Sequence, residues 1–244
     1  MIEFETAIDT GEGSMATFVV HPDTTGPLPV ILFLMDAPGK RPLLHDMARR
    51  LAAEGYYVVL PNLFYREVPE FELDFTSGES VAEMGRLMMS IGNRMAVRDA
   101  QSLLELADED SSADGTRVGC LGYSMSGPFA ISVAAALGER VRAAASANGV
   151  RLAVDAHDSP HKMLPDITGE LYVACAEFDD YAPLEMVERF EMAMTAAGTK
   201  GRLEYYPGTK HGFDLSDLPD YDHDASERLW SRLFDLFDRN LGTP

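Results

Sequence analysis

The chain reads as an α/β protein: a mostly parallel central sheet with helices on both faces. Three observations predict this. Short apolar runs alternate along the chain with stretches of helical spacing, the signature of repeated βα units. Val30-Ile31-Leu32-Phe33-Leu34-Met35 is continuously apolar, as a strand buried on both faces requires. Gly122-Tyr123-Ser124-Met125-Ser126-Gly127 joins a strand-like run to a helix-like run through small residues. With 244 residues and 46% hydrophobic content, the chain can build one full core, so a single domain over 1–244 is expected.

Taken in order, residues 2–9 and 15–21 read as two strands joined by the turn Thr10-Gly11-Glu12-Gly13. The apolar run from Val30 follows. Leu44, Met47, Ala48 and Leu51 then recur at helical spacing, and Gly55 supplies a C-terminal cap. Residues 56–60 form a strand that Pro61 stops. From 62 to 80 no period is visible, and a loop of that length is usually functional or mobile. Helical spacing from about 81 to 106 leads into the strand at 117–121 and the helix at 128–137. Later strands are expected at 143–147, 170–175 and 202–206, with helices at 184–197 and 224–241. Asp224-Ala225-Ser226-Glu227 resembles a capping box opening the last helix.

The turn at 122–127 carries the chemistry. A serine raised between strand and helix and flanked by small residues is how an α/β-hydrolase fold exposes a nucleophile. Gly122 meets the steric demand before Ser124. Ser126 stands where the motif has its second glycine, with Gly127 beyond it. Centring the motif on Ser126 fails, because 124 and 128 are then serine and proline. Serine needs a base to take its proton and a carboxylate to orient that base, and on this fold the order is Ser, Asp or Glu, His. His21 and His45 precede Ser124; His157 and His161 follow no strand directly; His223 adjoins an acidic helix start. His211 follows the last strand and a turn, at the carboxyl edge of the sheet. After the preceding strand come Glu177, Asp179 and Asp180, and spacing does not choose among them. For the oxyanion, the N–H groups of Met125 and of Ala37, in the loop Asp36-Ala37-Pro38-Gly39, stand where the mechanism needs donors; Pro38 has none.

Taken together, the 122–127 turn, Asp179 with Pro183 after it, His211-Gly212-Phe213, the segment at 33–39 and Val59-Leu60-Pro61-Asn62-Leu63-Phe64-Tyr65-Arg66 resemble the dienelactone hydrolase (carboxymethylenebutenolidase) family over roughly residues 15 to 240. The resemblance implies hydrolysis of small carboxylic esters or lactones through an acyl-enzyme. It selects Asp179 as the acid, and it places Asp36 where family members hold an acidic residue against the resting nucleophile. Two departures stand out. The type enzymes use cysteine where this chain has Ser124, and they carry an arginine shortly after the histidine, where this chain reads Gly212-Phe213-Asp214-Leu215.

The rest bounds the partners. The formal net charge of −20 disfavours nucleic acid and anionic lipid. No apolar run approaches the ~18 residues of a membrane helix, and the acidic N-terminus lacks signal-peptide character. Cys120 and Cys175 lie in apolar strands, so buried thiols and a cytoplasmic setting are expected. No Cys/His set suggests zinc and no glycine motif suggests a nucleotide, so neither metal nor cofactor is expected. The expected partner is a small-molecule ester or lactone, with the chain a monomer or homodimer. Tyr123 and Ser126 beside the nucleophile, and Arg66, Arg86, Arg94 and Lys210, are candidates for the pocket; for these cations the alternative is a solvated surface. Met84, Met88, Met89 and Met95 are read as core before pocket lining. Competing readings are a non-catalytic binding module on the same fold, and thioester or peptide cleavage or acyl transfer.

Overall fold

The structure, a computed structural model, describes residues 1–242. Eight strands form one sheet: β1 (Ile2–Asp9), β2 (Ser14–His21), β3 (Leu28–Leu34), β4 (Tyr57–Pro61), β5 (Ala113–Tyr123), β6 (Val141–Ala147), β7 (Glu170–Phe178) and β8 (Gly201–Lys210). Their spatial order is β1-β2-β4-β3-β5-β6-β7-β8. β2 runs antiparallel to both its neighbours, and the pairs from β4 through β8 are parallel. This is the mostly parallel α/β sheet expected from the alternating pattern.

The helices are α1 (Pro42–Ala53), α2 (Gly78–Ser90), α3 (Asn93–Glu109), α4 (Gly127–Leu137), α5 (Leu184–Ala197) and α6 (His223–Leu241). Every residue of β3 is buried, which explains its unbroken apolar run. β6 is built from Ala143, Ala144, Ala145, Ser146 and Ala147; short side chains there let α4 and α6 pack close to the sheet. α4 is apolar nearly all round because the sheet covers one side and α3 the other.

Several boundaries differ from expectation; β5 and β7, for instance, run longer, to Ala113–Tyr123 and Glu170–Phe178. The helix expected over 81–106 is two helices, broken where Ile91 and Gly92 turn extended (φ −113° and −140°); Ile91 is buried at the break. β8 continues to Lys210 rather than ending at Tyr206. The last helix is capped not by Asp224 but by Asp222, whose side chain accepts from the Ala225 N–H at 3.0 Å. Glu227 is thereby free to pair with Arg50 of α1. The 62–80 stretch begins as a folded turn: Asn62 accepts from the Phe64 N–H at 3.0 Å and donates to the Pro69 carbonyl at 2.9 Å, with Leu63 and Phe64 buried.

Because β5, β6, β7 and β8 are parallel, their carboxyl ends lie along one edge. The first residue past each is Ser124, Asn148, Asp179 and His211 respectively. Polar side chains from four distant points of the sequence are thereby brought to one edge of the sheet.

Candidate active site

Ser124 leaves β5 in the left-handed region, at φ 50°, a conformation an L-residue holds only when its surroundings enforce it. They do so here by packing. A Cβ at Gly122 would lie 2.2 Å from the Ser126 carbonyl oxygen, and one at Gly127 would lie 2.5 Å from the Gly149 Cα. Only glycine fits at either place. Ser126, which departs from the glycine pattern, replaces bare clearance with hydrogen bonds: its Oγ accepts from the Tyr123 N–H at 2.9 Å and donates to the Leu34 carbonyl at 3.0 Å. The hydroxyl ties the turn to β3, so the substitution braces the turn.

Ser124 Oγ lies 2.8 Å from His211 Nε2, and His211 Nδ1 lies 2.7 Å from Asp179 Oδ2. The second Asp179 oxygen accepts from the Tyr181 and Ala182 N–H groups, each at 2.9 Å, so three donors converge on a side chain only 2% exposed. Of the three candidate carboxylates, Glu177 in the last turn of β7 and Asp179 and Asp180 beyond it, Asp179 therefore meets the histidine. Asp180 is exposed, and Glu177 accepts from the Gly208 N–H on the β8 side. Tyr181 lies over His211, ring centroids 4.9 Å apart. Neither the Ala37 nor the Met125 N–H donates to an acceptor among the described residues, which leaves both open for an incoming oxygen.

Other candidates lie elsewhere. Asp36 does not contact Ser124. Its carboxylate is bidentate with Arg41 (2.5 and 3.1 Å), and Arg41 also reaches Asp217. Burial pushes the Asp36 carboxyl up while Arg41 pulls it down; Arg41, itself buried, is held above its ordinary value by Asp217 and Asp36. A guanidinium close by outcompetes a serine hydroxyl for a buried carboxylate. Arg66 is no pocket cation either: it pairs with Asp99 (2.6 and 2.9 Å) and Glu12. Tyr123 is buried against Phe33, with its hydroxyl unpartnered. Arg86 pairs with Glu67 and Glu83, and Lys210 with Asp220. Arg94 borders a separate cavity with Val97 and Ser132.

Next to the turn lies a cavity of about 260 Å³, lined by Met88, Met89, Met125, Phe129, Val150 and Arg151 among others. Met88 and Met89, of the methionines read as core, thus line space beside Met125, although Ser124, Asp179 and His211 are not in its walls. A larger cavity of about 710 Å³, between the β1–β2 hairpin and residues 69–72, includes none of Ser124, Asp179 and His211 in its walls. Cys120 and Cys175 are buried, and burial raises both thiols, Cys175 to about 12, so neither offers a thiolate. Among the described residues no cluster of His, Cys, Asp or Glu is arranged to hold a metal ion, and no helix is long and apolar enough to cross a membrane.

Sequence reasoning missed the Arg41 network and a buried pair, Asn148 with Asp214. A signal for the first existed: an arginine directly before Pro42 puts a cation at the positive end of a helix, which needs acidic partners to be tolerated.

The sequence model of the dienelactone hydrolase family matches residues 15–241. The chain belongs to the dienelactone hydrolase family. A carboxymethylenebutenolidase of Rhodococcus opacus is 26% identical over 225 residues, covering 89% of this chain and 83% of that protein. A dienelactone hydrolase-like promiscuous phosphotriesterase from metagenomic libraries superposes with a TM-score of 0.81 at 20% identity, covering 99% of each chain. Dipeptidyl peptidase 4 of Porphyromonas gingivalis, 16% identical, has a TM-score of 0.73; the match covers 98% of this chain but 35% of that one. At these identities the structural matches speak for the fold. Membership makes this chain a dienelactone hydrolase-like protein of the hydrolase class.

Proposed function

We propose that this dienelactone hydrolase family member is a serine-dependent hydrolase of small carboxylic esters or lactones. One observation carries the reading: the unbroken relay from Ser124 Oγ through His211 to Asp179, at 2.8 and 2.7 Å. His211 Nε2 accepts the Ser124 proton as Oγ attacks the carbonyl carbon, while Asp179 holds the Nδ1–H and stabilises the imidazolium. The Met125 and Ala37 N–H groups receive the oxyanion. Collapse expels the alcohol, protonated by His211, and water then releases the acid from the Ser124 ester by the same steps. The adjoining cavity, rich in methionine, suits a small apolar acyl or alcohol portion.

Short-chain p-nitrophenyl esters, lactones and thioesters assayed with wild type and Ser124→Ala test the reading. Turnover of esters or lactones that disappears in Ser124→Ala, with a serine-directed phosphonate labelling Ser124, is expected. Turnover surviving in Ser124→Ala, or rapid inactivation by iodoacetamide without phosphonate sensitivity, overturns it. Turnover of thioesters or peptides alone moves the chain to the corresponding reaction, and no turnover at all to a binding role.

A further inference from the structure

Asn148 and Asp214 form a buried pair that the proposed reaction does not use. Asn148 leaves β6 at φ 49°, with its N–H bound to the Ala174 carbonyl at 2.9 Å. Its Nδ2 donates to Asp214 Oδ1 at 2.7 Å. The two residues are 2% and 5% exposed, yet Asn148 Oδ1 and Asp214 Oδ2 both lack a partner. The pair spans the two loops that matter: the Val150 N–H donates to the Ser124 carbonyl at 3.2 Å, and Asp214 stands three residues after His211.

An ionised Asp214 is poorly served here. The charged or titratable groups around it are His211 on its own loop, Asp36 after β3 and Tyr123 at the end of β5; Arg50 of α1 and Glu227 of α6 line an adjoining cavity. The nearby cations are spoken for, Arg50 by Glu227 and Arg41 by Asp36 and Asp217. With Asp214 as carboxylate, both orphaned oxygens are acceptors and neither can satisfy the other. A proton on Oδ2 supplies the missing donor, and Asn148 carries the missing acceptor. Turning the amide over does not help a carboxylate, since one acceptor still lacks a donor.

We propose that Asp214 is held as the neutral acid and, paired with Asn148, is a positioning residue that fixes the His211 loop against the end of β6. Resting on the reading of His211 as base, this leaves the imidazole to a single charged carboxylate, Asp179. Burial supports it by pushing the Asp214 carboxyl up to about 7, with Asp36 adding to the rise against the opposing pull of its own backbone N–H, His211 and Asn148.

Infrared difference spectra of wild type minus Asp214→Asn, near pH 6, read the proton directly. The expected signal is the carbonyl stretch of a neutral carboxylic acid, lost in the variant; a carboxylate band in its place overturns the proposal. Kinetics supply the second arm. Asp214→Ala is expected to lower kcat about tenfold or more with KM little changed, because misplacing a catalytic group costs rate. Asp214→Asn, which keeps a neutral hydrogen-bonding side chain, should restore kcat to within about threefold of wild type. Below about pH 6, where Asp214 keeps its proton, the ratio of Asp214→Asn to wild-type rate should not change with pH. A ratio that changes with pH in that range means a charge at 214 had been acting on His211, and overturns the proposal. Should Asp214→Ala fail to fold, Asn148→Ala removes the same pair from the other loop and should lower kcat alike. If the wild type turns over no ester, the hydrolase reading fails while the infrared result still decides the protonation of Asp214.

Discussion

The loops after β7 and β8 each set a buried aspartate near His211, and they treat the two differently. Asp179 receives three donors, from His211 and from the Tyr181 and Ala182 N–H groups. From other residues Asp214 receives only Asn148, beside its own backbone N–H, and keeps an oxygen with nothing to accept. The two are about equally hidden from water, so burial alone does not distinguish them. What differs is the backbone. The turn entering α5 aims its N–H groups at Asp179, whereas the turn after His211 commits its N–H groups to Lys210 and Gly212 carbonyls. The number of donors decides which carboxylate is equipped to serve as an anion and which is better off with a proton.

The largest test of that contrast is Asp179→Asn. It should lower kcat by about 10⁴ on any ester the wild type turns over, because the amide no longer holds the imidazole in the required tautomer. A loss of only a few fold, measured on the same ester, would put the anion elsewhere.

Next is the pH dependence of stability. Unfolded, Asp214 has the ordinary carboxylate value of about 3.9; in the folded chain burial pushes it up to about 7. Between these values the unfolded chain has released a proton that the native chain keeps, so this residue's contribution to stability falls as pH rises through that window. Below about pH 4 both states hold the proton and no penalty remains. Urea unfolding of wild type and Asp214→Asn should show their stability difference moving in favour of the variant by an amount of order 4 kcal/mol between about pH 4 and 7. A difference that does not change with pH would mean Asp214 is ionised in the native state.

Asp36 is the intermediate case, a buried carboxylate matched by a full charge. Asp36→Asn removes one partner from Arg41 but leaves Asp217, so urea unfolding is expected to register a loss of about 1–3 kcal/mol. A change of ester kcat/KM much beyond threefold would mean that Asp36 does act on Ser124. The smallest effect belongs to Asp180, exposed and one residue from Asp179; Asp180→Asn should leave kcat/KM within about twofold, since exposed charges act weakly through water. Equal losses at 179 and 180 would erase the distinction drawn among the candidate carboxylates.

Much of the candidate site was legible in the sequence because it is carried by local patterns. The need for glycine at 122 comes from the turn's own backbone at Ser126 and Gly127, and Ser124 and Asp179 each follow an apolar strand run that can be recognised alone, while His211 follows the last strand and a turn. The choice of Asp179 over Glu177 and Asp180 was not legible from spacing, only from the family resemblance. Three adjacent carboxylates look alike until the backbone turns one of them toward the histidine.

Sequence periodicity by itself determined the alternation of strands and helices, the parallel sheet and the edge on which chemistry gathers, since burial on a sheet or helix face writes a period of 2 or 3.6 into the residues. Tertiary structure alone decided what those side chains meet. Arg41 finds Asp217 across 176 positions, Asn148 finds Asp214 across 66, and Arg66 is claimed by Asp99 and Glu12 before it can serve a substrate. Such pairings depend on which strand ends become neighbours, and hydrogen bonds reach only about 3 Å, so no periodicity in the chain records them.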